Sequence, residues 1–184
     1  MFLFEVINKI KFWKNTDRIG PDIIWTYWRF FFRSKMTKLC QKKFLQFGNA
    51  SEIRPGAYVV GCSQISIGER VIIRPGTMLH AESDSLKNTI IIENDVLIGC
   101  GVHIYVENHN FSNPDLLISE QGHSIAKQVV LKKGCWIGAN VIILPGVTIG
   151  ENSVVGAGAV VTKSIPDGVV AVGNPARVIK EIRK

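Results

Sequence analysis

Four histidines and four cysteines are the side chains of this 184-residue chain best suited to proton transfer, nucleophilic attack or metal binding near neutral pH. They are His80, His103, His109, His123, Cys40, Cys62, Cys100 and Cys135. The cysteines form no CxxC pair and have no zinc-ligand spacing. We therefore expect four free thiols, as in a reducing cytoplasm, and turn to the histidines for chemistry.

His109 lies near the start of a polar stretch, residues 106–128, which is the longer of two interruptions in a regular aliphatic pattern. The shorter interruption covers residues 82–89. Long loops on a rigid scaffold commonly carry functional residues, although a surface insertion can also be tolerated without any function. We favour a functional loop, because it places a histidine just beyond the aliphatic residue Ile104.

The elements that must position this histidine follow a six-residue period, which begins near residue 53. Aliphatic residues recur at this spacing: Ile53, Val59, Ile67, Ile73, Leu79, Ile92, Ile98, Ile104, Leu131, Ile137, Ile143, Ile149, Val155 and Val161. A period of six fits neither a helix nor one long strand. It predicts short strands joined by tight corners, three to a coil, with successive coils about 4.8 Å apart and the aliphatic residues stacked inside.

The formal net charge of +7 is carried entirely by residues 1–47, which hold ten basic and three acidic residues. Residues 48–184 are neutral. With 46% hydrophobic and 20% charged residues, the chain has the composition of a folded soluble protein rather than a disordered one. We see neither a signal peptide nor an apolar stretch long enough to span a bilayer, so we expect a cytoplasmic protein.

Residues 22–45 of the basic segment predict a helix, with Pro21 at its start and an apolar stripe. The stripe comprises Trp28, Phe32, Met36 and Leu39, with Lys35, Lys38 and Lys42 beside it. One interpretation is a cap that covers the first coil. The other is a peripheral contact with an anionic membrane, at its inner face. We expect no nucleic-acid binding, because no recognition motif accompanies the charge.

Four motifs in the C-terminal half carry a family resemblance. They are Trp136-Ile137-Gly138-Ala139-Asn140, Leu144-Pro145-Gly146-Val147-Thr148-Ile149-Gly150, Gly156-Ala157-Gly158-Ala159-Val160-Val161-Thr162-Lys163 and Gly173-Asn174-Pro175-Ala176-Arg177. Over residues 53–182 the chain resembles the hexapeptide-repeat acyltransferases, in particular the maltose, galactoside and polysaccharide O-acetyltransferases. The resemblance implies an all-β fold, a left-handed parallel β-helix at 48–184 with a short N-terminal α-helical segment at 1–47 and a C-terminal tail.

The resemblance also implies a mechanism. A histidine at the position of His109 is the general base of the family, and it takes a proton from a sugar hydroxyl that attacks acetyl-CoA. Such a base contributes about 10²–10⁴-fold to the rate. A backbone N–H is expected to stabilise the oxyanion. We expect direct transfer without an acyl-enzyme, since no cysteine lies in a nucleophile motif beside His109.

The same resemblance implies the acetyl-CoA site. Trp136 matches the wall of the thioester end, and Ala139 and Ala157 match small residues beside pantetheine. The positions for the phosphate end of the cofactor are Thr162, Lys163, Arg177 and Lys180. The galactoside enzyme has Arg where this chain has Lys180. The family is trimeric, so a homotrimer is expected.

The other histidines have separate interpretations. His80 lies where the galactoside enzyme has an acceptor-binding Asn, so we assign it to the acceptor. His103 precedes an aliphatic position and should point outward, and His123 is interpreted as a loop-packing residue. β-Helical carbonic anhydrases bind zinc through three histidines, two of them five positions apart. Here His103 and His109 are six apart, so no metal is expected.

Together these observations predict an acetyl-CoA-dependent O-acetyltransferase that acts on a sugar acceptor in surface polysaccharide biosynthesis. One alternative is an N-acetyltransferase of an amino-sugar nucleotide on the same scaffold. A second is a non-catalytic β-helical binding or scaffold protein, against which an intact His109 argues. A serine acetyltransferase is disfavoured, because the N-terminal helical segment is short for that family.

Overall fold

A computed structural model describes residues 2–82 and 86–182 of the chain. The α-helices are α1 (Phe2–Asn15), α2 (Ile24–Tyr27) and α3 (Arg33–Lys43), and the 3₁₀-helices are Trp28–Phe31, Cys62–Gln64 and Ile118–Glu120. The strands, β1 to β18 in chain order, are Arg18–Ile19, Gln46–Phe47, Glu52–Ile53, Tyr58–Val60, Ile65–Ile67, Ile72–Ile73, Met78–His80, Ile90–Ile92, Leu97–Ile98, His103–Tyr105, Val129–Leu131, Trp136–Ile137, Ile142–Ile143, Thr148–Ile149, Val154–Val155, Val160–Val161, Val169–Val172 and Arg177–Glu181.

Successive strands of the repeat pass to different faces, so the chain winds into a three-sided parallel β-helix. The first sheet has the order β1-β4-β7-β10-β13-β16, the second β14-β11-β8-β5-β2, and the third β18-β17-β15-β12-β9. A separate pair, β3 and β6, lies beside β9. Two strands run antiparallel to their neighbours: β1 pairs with β4, and β18 with β17. The predicted C-terminal tail is therefore in large part a strand of the third sheet.

The aliphatic residues of the six-residue period form the interior, as predicted. Each of them is at most 3% exposed, and they belong to one hydrophobic cluster. The compact residues at the corners, such as Ala57, Thr77 and Ser153, are buried as well. Corners this tight need small or β-branched side chains, because neighbouring coils are separated by only one strand spacing. In the shorter interruption, 82–89, residues 83–85 lie outside the described residues.

The predicted single helix over 22–45 is wrong in its extent. Pro21 and Asp22 precede the first helical residue, and the backbone at Phe32 is extended (φ −127°), which separates the 3₁₀-helix from α3. The predicted apolar stripe is also divided. Met36 and Leu39 are buried, whereas Trp28 and Phe32 are about half exposed, at 48% and 59%. The helix is interrupted at Phe32, and the two halves of the stripe do not share one buried face.

α3 packs against the beginning of the β-helix. Its buried residues, Met36, Leu39 and Cys40, belong to the same cluster as Ile53 and Val59 of the first coil. Burying this end satisfies the need for cover that an open coil creates. The longest described helix, α1, falls within the predicted N-terminal helical segment 1–47, although its bounds were not predicted, and none of its residues is buried. Within the described part of the chain, no helix is both long and apolar enough to cross a membrane.

Candidate active site

A cleft of about 380 Å³ lies where strands of the first sheet end. Register pairs Arg18 with Val60, Val60 with His80, and His80 with Tyr105, so these residues form a row across four strands. All four line the cleft, together with His109 and its neighbours in the long loop. Strand register, antiparallel between β1 and β4 and parallel between the others, therefore brings residues far apart in the sequence to one edge of one sheet.

The long loop folds back on itself, and this fold determines where His109 lies. The N–H of Ser124 donates to the carbonyl of Asn108 at 2.7 Å, and the N–H of Asn110 donates to the carbonyl of Gly122 at 3.0 Å. The Asn110 side chain adds a bond to the His123 carbonyl at 2.9 Å. These bonds hold the two arms of the loop antiparallel, with His109 opposite His123.

The rings of His109 and His123 are in contact, with centroids 4.2 Å apart and planes 35° apart. Both side chains are exposed and both line the cleft. An exposed imidazole at the wall of a cleft can accept a proton from a bound hydroxyl and return it to a leaving group. His123 was interpreted from the sequence as a loop-packing residue. It does pack in the loop, but against His109, which makes it a candidate site residue.

His80 lies deeper in the cleft than His109. Its ring stacks on Tyr105, with centroids 5.1 Å apart and planes 23° apart. Its Nε2 is buried and has no hydrogen-bond partner among the described residues. Burial lowers the pKa of His80, and the neighbouring His103 and Arg18 lower it further. A neutral imidazole with a free nitrogen can exchange a hydrogen bond with a ligand hydroxyl.

The residues that matched the pantetheine positions meet at a different corner of the β-helix. The N–H of Gly158 donates to the carbonyl of Ala139 at 2.8 Å, so Ala139 and Ala157 belong to adjacent coils at one corner. A Cβ on Gly138 would lie 2.5 Å from the backbone nitrogen of Ala157. Only glycine at position 138 allows the two coils to approach this closely.

A groove on the third sheet contains two more of the predicted cofactor residues. Trp136 pairs in register with Val154, Val154 with Val170, and Val170 with Lys180, and all four line this groove. Arg177 lies at the start of the same strand as Lys180, and its side chain is exposed. Thr162 and Lys163, both exposed, follow β16 of the first sheet instead.

Within one chain, the predicted base and most of the predicted cofactor residues are separated. The strands of the first sheet begin after the corner that contains Ala139 and Ala157, and they end at the edge that contains Tyr105 and His109. The cleft around His109 includes none of the predicted cofactor residues. His80 and His109 are thus brought together, whereas His109 and Trp136 are not.

Comparison with known proteins identifies the family. The profile of the bacterial transferase hexapeptide family (six repeats) matches residues 128–163. A galactoside O-acetyltransferase from Lactococcus lactis is 38% identical over 146 residues, which make up 79% of this chain and 67% of the relative. The chain belongs to the hexapeptide-repeat transferase family. The predicted left-handed parallel β-helix is thereby confirmed.

Solved structures of acetyltransferases have a similar fold. A galactoside acetyltransferase in complex with coenzyme A superposes with a TM-score of 0.71 and 32% identity, covering 86% of this chain and 78% of its own. A hexapeptide-repeat acetyltransferase from Vibrio cholerae, complexed with acetyl-coenzyme A, has a TM-score of 0.68 and 29% identity, with coverage of 80% and 76%. The present transferase is accordingly an acetyltransferase, as predicted from the sequence.

The cysteines of the transferase are poor candidates for a covalent intermediate. Cys40, Cys62 and Cys135 are buried, and Cys100 is exposed. Burial raises the pKa of Cys62 and of Cys135 to about 12 and also raises that of Cys40. A thiol with so high a pKa is not a thiolate at neutral pH. None of the four lines the cleft around His109.

His103 lies on the outward side of the first sheet, as predicted. Its Nδ1 is 3.1 Å from the hydroxyl of Tyr105, and it does not line the cleft. The zinc arrangement of His80, His103 and His109 is therefore not formed. Among residues 2–82 and 86–182, no group of three or more histidine, cysteine or acidic side chains is placed to hold a metal ion.

The lowered pKa of His80 predicts an acid-sensitive stability for the transferase. The unfolded chain protonates this imidazole near pH 6.5, whereas the folded chain does so only at lower pH. Between these two pH values the unfolded state holds more protons, so stability is full above about pH 6.5 and falls as the pH drops through the folded pKa. Urea unfolding at a series of pH values should show this loss, and His80→Asn should reduce it. His123→Asn is the matched control and should retain the loss.

Proposed function

We propose that the chain is an acetyl-CoA-dependent O-acetyltransferase that transfers the acetyl group to a sugar hydroxyl in surface polysaccharide biosynthesis. The observation that carries this proposal is the cleft, which holds His109 beside His80 on an edge open to solvent. A general base and a hydrogen-bonding imidazole in one cleft are what hydroxyl acetylation needs. The relatives named as galactoside acetyltransferases support a sugar acceptor.

The proposed step is a direct transfer. His109 accepts the proton of the sugar hydroxyl while the oxygen forms a bond to the acetyl carbon. The tetrahedral oxyanion collapses, the carbon–sulfur bond breaks, and the proton passes from His109 to the departing thiolate. A backbone N–H is expected to stabilise the oxyanion. The high pKa values of the buried thiols support a route without an acyl-enzyme.

The composition of the cleft is suited to a carbohydrate. Tyr105 and the stacked His80 offer flat ring surface, on which the apolar face of a sugar can pack. Glu82, Glu107 and Arg18 add charged groups around these rings, and such groups can bond sugar hydroxyls. Of these, sequence analysis found only His80, because the others have no motif of their own.

For the donor, we propose acetyl-CoA at Trp136, Ala139, Ala157, Thr162, Lys163, Arg177 and Lys180. Most of these residues are remote from His109 within one chain, which supports a site shared between subunits, and the family resemblance implies that the oligomer is a homotrimer. A complete site then needs the base of one subunit and the cofactor groove of its neighbour. Sedimentation analysis should find a trimer. The division into a segment 1–47 and a catalytic β-helix 48–184, and the cytoplasmic location, stay predictions.

A panel of sugars and nucleotide sugars, assayed for coenzyme A release, tests the proposed function. We expect turnover with a sugar that offers only hydroxyls, and acetyl ester formation detectable by mass spectrometry. Turnover confined to amino sugars would favour the N-acetyltransferase alternative. Absence of coenzyme A release with every acceptor, from a protein that is folded, would favour a non-catalytic scaffold.

A further inference from the structure

The N-terminal segment leaves a row of large apolar side chains in solvent. Ile24, Trp25, Trp28, Phe31 and Phe32 are between 41% and 64% exposed. They lie on α2, on the 3₁₀-helix that follows it and at Phe32, where the helical backbone ends, and the ring centroids of Trp28 and Phe32 are 6.3 Å apart. An exposed cluster with three or more aromatic rings is unusual on a water-facing surface and indicates contact with something apolar.

The opposite side of the same segment already provides the packing that the fold needs. Ile23, Thr26 and Phe30 are buried, and Phe30 belongs to the main hydrophobic cluster. The cap on the first coil is completed by Met36 and Leu39 of α3. The exposed row is therefore not part of the cap. The cap and a membrane contact, which were alternative interpretations of this segment, involve different faces of it.

α1 carries further exposed apolar side chains. Phe2, Leu3 and Phe4 in its first turn are between 69% and 78% exposed. The helix contacts α2, and the Nζ of Lys14 lies 5.1 Å from the ring centroid of Trp25. We call the exposed row of Ile24, Trp25, Trp28, Phe31 and Phe32 the docking face.

Positive charge lies at the docking face and on α3, which follows it in the chain: the guanidinium carbon of Arg29 is 5.6 Å from the ring centroid of Trp28. Lys35, Lys38 and Lys42 are exposed on α3, at positions i, i+3 and i+7, away from its buried side. Two of the three acids of residues 1–47 are engaged elsewhere. Asp17 accepts bonds from the backbone N–H and the hydroxyl of Ser63, and Asp22 accepts one from the Tyr58 hydroxyl at 3.5 Å.

We propose that the docking face binds the surface of an anionic lipid membrane. Tryptophan and phenylalanine can enter the interfacial region, while lysines beside them meet the lipid phosphates. A second copy of the chain is a poor occupant, because it would bring two segments of charge +7 together. The neutral β-helix offers no net negative surface to such a segment either.

Docking would hold the acceptor cleft near the membrane surface, because the docking face and one wall of the cleft are close in the chain. Arg18, which lines the cleft, lies in the chain between α1 and α2. An acceptor carried on a lipid could then reach His109 without leaving the membrane. This consequence rests on the proposed function, whereas the docking itself does not, since it is measured without catalysis.

Vesicle flotation of the full chain tests the proposal. We expect binding to vesicles of phosphatidylcholine mixed with phosphatidylglycerol, and little binding to phosphatidylcholine alone. The triple variant Trp28→Ser/Phe31→Ser/Phe32→Ser should bind more than about 100-fold more weakly, because it removes most of the apolar area. Its matched control, Leu97→Ser/Phe111→Ser/Leu117→Ser, changes side chains that are as exposed but lie outside the docking face, and should bind normally.

The charge is tested separately. Lys35→Gln/Lys38→Gln/Lys42→Gln should weaken binding to the anionic vesicles by about 100-fold. Added salt should weaken the binding of the unaltered chain. Equal binding to both kinds of vesicle, or an equal loss in the control variant, would overturn the proposal. Absence of vesicle binding by the unaltered chain would also overturn the proposal. In that case, loss of self-association or of an acidic protein partner in the aromatic variant would identify a different occupant of the docking face.

Discussion

Replacement of His109 by alanine is expected to lower the rate of acetyl transfer by about 10²–10⁴-fold. The imidazole is the group in the cleft that we assign to the hydroxyl proton, and without it the acceptor must lose that proton to water. The fold should be unaffected, since the His109 side chain is exposed. Coenzyme A release under saturating acceptor measures the effect.

Two measurements distinguish the loss of the general base in His109→Ala from general damage to the active site. Acetyl-CoA affinity should be unchanged in His109→Ala, because the residues proposed to bind the cofactor, among them Trp136, Ala139 and Ala157, do not include His109. His103→Ala is the matched control: it removes an imidazole from the same sheet but not from the cleft, and its turnover should stay close to that of the unaltered protein. Near-normal turnover of His109→Ala would refute its assignment as the base.

Replacement of Ile143 by alanine is expected to lower the free energy of unfolding by about 2–5 kcal/mol. Ile143 is fully buried inside the aliphatic stack, where it pairs in register with Ile104 on one side and Val161 on the other. Its truncation leaves a cavity that the coils cannot close, since backbone hydrogen bonds determine their spacing. Urea denaturation followed by circular dichroism gives the change.

The neighbouring residue provides the control for this prediction. Ile142 lies on the same strand with its side chain on the other face, where it is only partly buried. Ile142→Ala should cost less than about 1 kcal/mol, because little area is withdrawn from water and no cavity forms. Similar losses for both variants would contradict the alternation on which the interior of the β-helix depends.

The β-helix was predictable because its cause is local. Each aliphatic residue of the six-residue period is buried by the coils directly above and below it, so the spacing in the sequence reproduces the spacing in space. The N-terminal segment lacks such a repeat. The extended backbone at Phe32 divides the predicted helix, and neither that break nor the length of α1 follows from an apolar stripe alone.

The sequence by itself determined the scaffold, the family and the position of His109 at the entrance to a long loop. Only the tertiary structure decided what surrounds that histidine. His80 and Tyr105 meet because parallel register aligns strands from successive coils, and His123 meets His109 because the loop closes on itself. Such contacts depend on the sum of many backbone hydrogen bonds between distant residues, which no pattern along the chain encodes. Contacts between distant residues also decide which side chains of the +7 segment are buried in the cap and which remain exposed on the docking face.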